Sequence, residues 1–238
     1  MNMHPLEGKD FLSVLMATTG GGIWDDLGWL CMADIQQFAA NASERLRKVG
    51  LCSNEPVLIP VGGRAEDVAA IIAVTEAGGI AVPFHRKSHL NTRTNLESAS
   101  KARFVLSPLN LETRSAPYPI KISEALPPKR PLLDGAAMIT FTSGSTGKPK
   151  GVVLSRKRIS AKLVTICEAI EMSMSPLALV PLQLQFSFGQ WATFLPLMMG
   201  GVVYSTAHFS ADWANQIIRD QPVTHFAAVP TMLRLIVE

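Results

Sequence analysis

Ten consecutive residues hold most of the chemistry this sequence can offer: Thr142-Ser143-Gly144-Ser145-Thr146-Gly147-Lys148-Pro149-Lys150-Gly151. The hydroxyls can donate hydrogen bonds, the glycines let backbone N–H groups close on an anion, and Lys148 and Lys150 add positive charge. These features suit a polyphosphate. Gly/Ser/Thr clusters are more often flexible linkers, so composition alone leaves both readings open. The spacing excludes two other phosphate loops. A Walker loop needs four residues between its first glycine and a Gly-Lys-Ser/Thr end, whereas only two separate Gly144 from Gly147 and Lys148 precedes Pro149. A dinucleotide fingerprint needs Gly-x-Gly-x-x-Gly opening the next helix, and none is present.

Other candidates are weaker. Arg156, Lys157, Arg158 and Lys162 could receive phosphates or an acidic protein surface, but such runs are more often solvated helix faces. His85 and His89 are four apart, as helical metal ligands can be. They follow Pro83 in expected loop, with no carboxylate nearby, so no metal site is expected. Phe186 and Phe188 read first as core, as phenylalanines usually do, and Met198 and Met199 as core filler. Cys31, Cys52 and Cys167 form no CxxC pair and read as free thiols of a reducing compartment.

These residues need a framework, and the composition supports one. Of 238 residues, 47% are hydrophobic and 17% charged, enough for a sizeable core. A net charge of +3 is too small to imply nucleic acid. The first ten residues lack an apolar signal region, and the apolar stretch Val68–Phe84 is interrupted by Thr75, Glu76, Gly78, Gly79 and Pro83, so no membrane span is expected. The expected location is cytoplasmic. A mean hydropathy of +0.22 fits a core-rich protein, or a piece whose apolar surfaces expect more chain.

Periodicity predicts a helix over Asp34–Val49, with Ile35, Phe38, Ala39, Ala42, Leu46 and Val49 on one stripe, Asp34 as its cap and Gly50 at its end. Strands are expected at Val57–Val61, Ile80–Pro83, Phe104–Ser107, Ala136–Phe141, Leu177–Leu182, Val202–Tyr204 and His225–Val229. Helices are expected at Glu66–Ala77, Leu90–Ser100, Ser155 to about Met172, Gly189–Met199, Ser210 to about Gln221, and from Pro230. The proline-rich stretch Pro108–Asp134 reads as a surface connection with room for one short strand. Alternating strand and helix predicts an α/β protein with largely parallel sheets.

The loop sequence resembles the signature phosphate loop of the adenylate-forming superfamily, which includes acyl-CoA synthetases, aryl-CoA ligases, luciferases and peptide-synthetase adenylation domains. Four further segments resemble the family's in order and spacing: Trp29–Ile35, Val74–Pro83, Pro181–Gly201 and Val229–Met232. The resemblance covers about Trp24 to Ile236. It implies two interleaved lobes of largely parallel sheet flanked by helices, the N-terminal part of that fold. Lobe one would span about residues 54–172 and carry the phosphate loop 142–151. Lobe two would combine about 1–53 with 173–238 and be incomplete.

The implied reaction is ATP- and Mg2+-dependent activation of a fatty, aryl or other non-amino carboxylic acid to an acyl-adenylate. Transfer to CoA or a carrier-protein thiol follows. By position, Thr142, Ser143, Gly144, Ser145, Thr146, Gly147, Lys148 and Lys150 would bind the ATP phosphates, and Phe186, Ser187 and Gly189 would line the acyl pocket. Ser187 stands where adenylation domains for α-amino acids carry an aspartate, and a serine cannot pair with an ammonium ion as a carboxylate does. The family's catalytic residues are expected beyond Glu238, so the isolated chain is expected to be inactive and its incomplete lobe open to self-association. The alternative is a non-catalytic nucleotide-binding or interaction module of the same fold.

Overall fold

The computed structural model describes residues 6–107, 119–123, 133–142 and 149–237. In chain order its elements are α1 (Phe11–Ala17), β1 (Gly22–Asp25), β2 (Gly28–Cys31), α2 (Met32–Lys48), β3 (Pro56–Val61), α3 (Ala65–Glu76), β4 (Ile80–His85), α4 (Leu90–Ser100), β5 (Phe104–Leu106) and β6 (Ile120–Ile122), followed by β7 (Ala136–Thr142), β8 (Lys150–Ser155), α5 (Arg156–Ala169), β9 (Leu177–Val180), α6 (Ser187–Met198), β10 (Val202–Ser205), α7 (Ala211–Asp220), β11 (His225–Phe226) and α8 (Pro230–Val237). They form an α/β protein with two mixed sheets. One runs β11-β9-β10-β1-β2 and the other β6-β5-β3-β4-β7-β8. Interior pairings are parallel. The antiparallel partners β2, β6 and β8 lie at sheet edges. No helix among the described residues is long and apolar enough to cross a membrane.

The central strands are buried on both faces, as β3 and β4 show along nearly their whole length. Helix α3 explains how the two sheets join. Its residues Ala65 to Thr75 are all buried, because beyond Glu66 and Asp67 of its first turn the helix is apolar on every face up to Val74 and lies between layers. It packs on β3 and β4 of one sheet, on β1 of the other, and along α2. Helix α2 is amphipathic instead, burying Ile35, Ala39, Ala42 and Leu46 on the expected stripe. It starts two residues earlier than its sequence suggests. Asp34 is therefore not the cap: it lies inside the first turn and accepts a bond from the Cys31 thiol at 3.0 Å. Gly50 does end the helix. Its φ of 83° lets Gly50 N–H donate to Arg47 O and Leu51 N–H to Leu46 O, both at 3.0 Å.

Four elements, α1, β1, β2 and β8, were not foreseen. Helix α1 is short, capped by Asp10, whose Oδ2 accepts from Ser13 N–H at 3.0 Å. The β1–β2 hairpin brings an early segment against β10, with Gly22 opposite Val202. A side chain at Gly21 would collide with the carbonyl of Gly201, its Cβ falling 1.9 Å from that oxygen, so this join requires glycine. Strand β8 carries no inward-outward alternation, being exposed along most of its length, which hid it in the sequence.

Candidate functional site

The expected phosphate loop connects β7 to β8. Thr142 pairs with Lys150 and Phe141 with Gly151, so the antiparallel ladder holds the two ends of the loop side by side. Thr142 and Lys150 are both exposed there, and Thr142 Oγ1 donates to Lys150 O at 3.4 Å. Ser143, Gly144, Ser145, Thr146, Gly147 and Lys148 lie outside the described residues.

A cavity of about 260 Å³ opens on the same hairpin. Met138 of β7 and Leu154 of β8, a cross-strand pair, form its floor. Helix α5 supplies Arg158, Ile159, Lys162 and Leu163, two i, i+4 pairs on one face. Helix α6 supplies Ser187, Gln190, Trp191 and Phe194, spaced i, i+3, i+4, i+7. The walls are apolar, and the charges come from Arg158 and Lys162. Lys162 Nζ donates to Ser187 Oγ at 2.8 Å. Ser155 caps α5, its Oγ accepting from Arg158 N–H at 3.3 Å. The buried Gln190 side chain donates to Leu184 O at 2.9 Å and to Thr140 Oγ1 at 3.3 Å, fixing α6 against β7.

The expected acyl-pocket residues divide here. Ser187 lines the cavity. Gly189 is buried beneath it. A Cβ there would fall 2.2 Å from Gln183 O, so its role is close backbone packing. Phe186 is the residue before α6, 57% exposed, and does not line the cavity. Phe188 is half-buried and stacks on Trp191 with ring centroids 4.8 Å apart. Met198 and Met199 are core. The basic run also divides: Arg156 makes two 2.7 Å bonds to the Asp10 carboxylate, while Lys157, Arg158 and Lys162 are exposed, the last two also lining the cavity mouth. Sequence reasoning missed Gln190, Trp191 and Phe194. The signal for them was their common spacing with Ser187 on one face of α6.

His85 ends β4, and its Nδ1 accepts from Lys87 N–H at 3.2 Å. Burial, then the nearby Lys87, Arg86 and His208, lower its pKa from the ordinary histidine value. His89 immediately precedes α4. Among the described residues there is no group of three His, Cys, Asp or Glu side chains able to hold a metal ion.

Comparison with known proteins decides the family. The family model described as "AMP-binding enzyme" matches residues 17–238. The chain belongs to that family. It is 30% identical over 106 residues to tyrocidine synthase 3 of Brevibacillus parabrevis, covering 43% of this chain and 2% of that protein. It is 27% identical over 209 residues to malonate–CoA ligase of Arabidopsis thaliana, covering 73% of this chain and 34% of the ligase. Its fold is similar to that of ATP-bound MatB from Rhodopseudomonas palustris, with a TM-score of 0.78 at 17% identity, over 96% of this chain and 51% of MatB. The chain thus spans about half of the MatB chain and about a third of the malonate–CoA ligase.

Proposed function

We propose that the protein carrying this chain activates a carboxylic acid lacking an α-amino group to an acyl-adenylate. Family membership supports the general reaction, as does the similarity to a ligase named for a carboxylic acid and CoA. The observation that carries the reading is local: the register Thr142–Lys150 gathers a hydroxyl and an ammonium at the base of the signature loop, and the acyl-sized cavity opens on the same β7–β8 hairpin. The reaction breaks and forms bonds as follows. A carboxylate oxygen of the acid attacks the α-phosphorus of ATP, and the bond to the bridging oxygen breaks. Pyrophosphate leaves with the electron pair. A thiolate of CoA or of a carrier protein then attacks the acyl carbon and AMP leaves.

In this reading Thr142 and Lys150, with Ser143 to Lys148 between them, hold the β- and γ-phosphates and so position the α-phosphorus for in-line attack. Mg2+ would neutralise phosphate charge, with the phosphates and water supplying most of its ligands. The α6 face from Ser187 to Phe194 holds the acyl group away from water. Ser187 offers no carboxylate to an ammonium ion, and Lys162 beside it repels one. We also read the two sheets as the centres of two interleaved lobes, residues 54–172 and residues 1–53 with 173–238, which the strand membership of each sheet supports.

Acid-dependent exchange of labelled pyrophosphate into ATP, measured on the whole protein over a panel of acids, tests the reading. Exchange with aryl or aliphatic acids, reduced tenfold or more by Lys148→Ala without loss of folding, is the expected result. Preference for an α-amino acid would overturn the substrate reading. Nucleotide binding without exchange for any acid would favour a non-catalytic binding module.

A further inference from the structure

In an open α/β sheet, ligands bind in the crevice outside the carboxyl ends of the strands. The signature loop leaves β7 at that end, from Thr142. The neighbouring parallel strand β4 also ends there, on His85. Ala81 of β4 lies opposite Met138 of β7. Four residues further along both strands, the same register sets His85 level with Thr142, about 4.8 Å away across the sheet. The two side chains also share a face. Ala81 and Met138 belong to the core between the sheets, whereas Val82 and Ile139 belong to the separate cluster under Leu96 of α4. Side chains alternate along a strand, so His85 and Thr142 both project from the inner face, at the base of the loop.

The His85 ring is oriented. Its Nδ1 accepts from Lys87 N–H at 3.2 Å, which leaves the proton of the neutral ring on Nε2. Burial, then Lys87 and Arg86 of the same turn and His208 from beyond β10, favour that neutral form. The turn itself is clamped. Ser88 N–H donates to His85 O and Arg86 N–H to Val61 O, both at 2.9 Å. The Arg86 guanidinium reaches back to Pro60 O at 3.3 Å and to the buried Asp67 carboxylate. A ring held this way presents an N–H donor, and it lacks the free Nε2 lone pair that a general base would need.

We propose that His85 is a further substrate-contacting residue, its Nε2–H donating to a phosphoryl oxygen of ATP beside Thr142. The inference rests on the reading of the signature loop as the phosphate site. The ligand class follows from the donor. A fixed N–H at the carboxyl end of the sheet matches an anionic oxygen, and a hydrogen bond to an ionised acceptor is stronger than one between neutral groups. His85 supplies direction where Lys150 supplies charge, and the Asp67–Arg86 pair holds the turn that aims it.

The test is binding of ATP to the full 238-residue chain, followed by calorimetry and by the nitrogen resonances of the imidazole ring. His85→Ala should weaken ATP binding at least tenfold. His85→Gln, whose amide N–H can reach the place of Nε2, should recover most of that loss. His85→Asn, whose amide reaches only as far as Nδ1, should not. His89→Ala, four residues on, should leave binding unchanged. In the unaltered chain the His85 pKa should rise by about one unit when ATP binds, because an anion beside Nε2 favours the imidazolium, and adenosine should not move it. Unchanged ATP binding in His85→Ala, or a His85 pKa that ATP moves no more than adenosine does, overturns the proposal and leaves the phosphate-loop reading standing. Absence of ATP binding to the unaltered chain overturns both.

Discussion

Gln190 of α6 and Thr140 of β7 meet in the interior, the glutamine amide 3.3 Å from the threonine hydroxyl while it also donates to Leu184 O at 2.9 Å. This contact ties the helix that lines the cavity to the strand that leads into the signature loop. Gln190→Leu keeps most of the volume but leaves a buried carbonyl and a buried hydroxyl without that donor. The expected cost is about 1–3 kcal/mol, read as a lower urea midpoint at unchanged slope. A midpoint equal to that of the unaltered chain would show that the bonds are not needed to seat α6.

The Asp67–Arg86 ion pair is one of the two deeply buried pairs among the described residues, with Glu55–Arg103. Burial pushes the Asp67 carboxyl up, opposed by the Arg86 guanidinium and by the N–H groups of Gly62 and Arg64, 2.7 and 3.0 Å away. Asp67→Ala removes all of these acceptors at once and strands Arg86. It should destabilise the chain by about 3–5 kcal/mol, whereas the volume-conserving pair Asp67→Leu with Arg86→Met should recover much of that loss. Equal destabilisation by the single and double changes would contradict this account.

Asp10 and Arg156 give a pH-dependent term. Burial alone would raise the Asp10 carboxyl, but the bonds from Arg156 and Ser13 outweigh it and hold the pKa below its ordinary value. A lowered carboxyl stabilises the fold above the unfolded pKa, about 3.9, and the contribution is lost as pH falls through the folded value. The Arg156 and Asp10 side chains are 41% and 30% exposed, so about 0.5–1 kcal/mol is expected. The melting temperature of Asp10→Asn should fall below that of the unaltered chain at pH 7, and the two should converge near pH 2–3. A gap that widens on acidification would reverse the sign of the argument.

Gly189 has no room for a methyl group, because its Cβ position meets main-chain oxygen and carbon of Gln183 rather than a movable side chain. Gly189→Ala should cost about 1–3 kcal/mol through backbone displacement, although alanine ordinarily favours helix. A neutral or stabilising effect in a urea titration would show that the Gln183 segment can move aside.

Much of this arrangement is legible in the sequence, and the reasons are local. The stripe of α2, the Gly78-Gly79 end of α3 and the serine caps of α5 and α7 are set by residues a few positions apart. The hairpin β1–β2 escaped because its stability comes from β10, about 180 residues later in the chain. Lys162 reads as part of a solvated face, and it is exposed; only its contact with Ser187, 25 residues away on another helix, was out of reach of the sequence. The loop was legible as a motif, while the cavity beside it depended on how two helices cross over one hairpin.

The pairing of Gly22–Trp24 with Val202–Tyr204 also bears on how the protein is made. At about 5–20 residues per second, β1 waits roughly 10–35 s after synthesis before its parallel neighbour exists. Through that interval the nascent hairpin, with the Trp24 and Trp29 rings tilted against each other 5.8 Å apart in the finished fold, has an unpaired strand edge and exposed aromatic surface. The late-arriving β10 closes that edge, so the segment most open to wrong pairing during synthesis is the one that folds against the chain's last third.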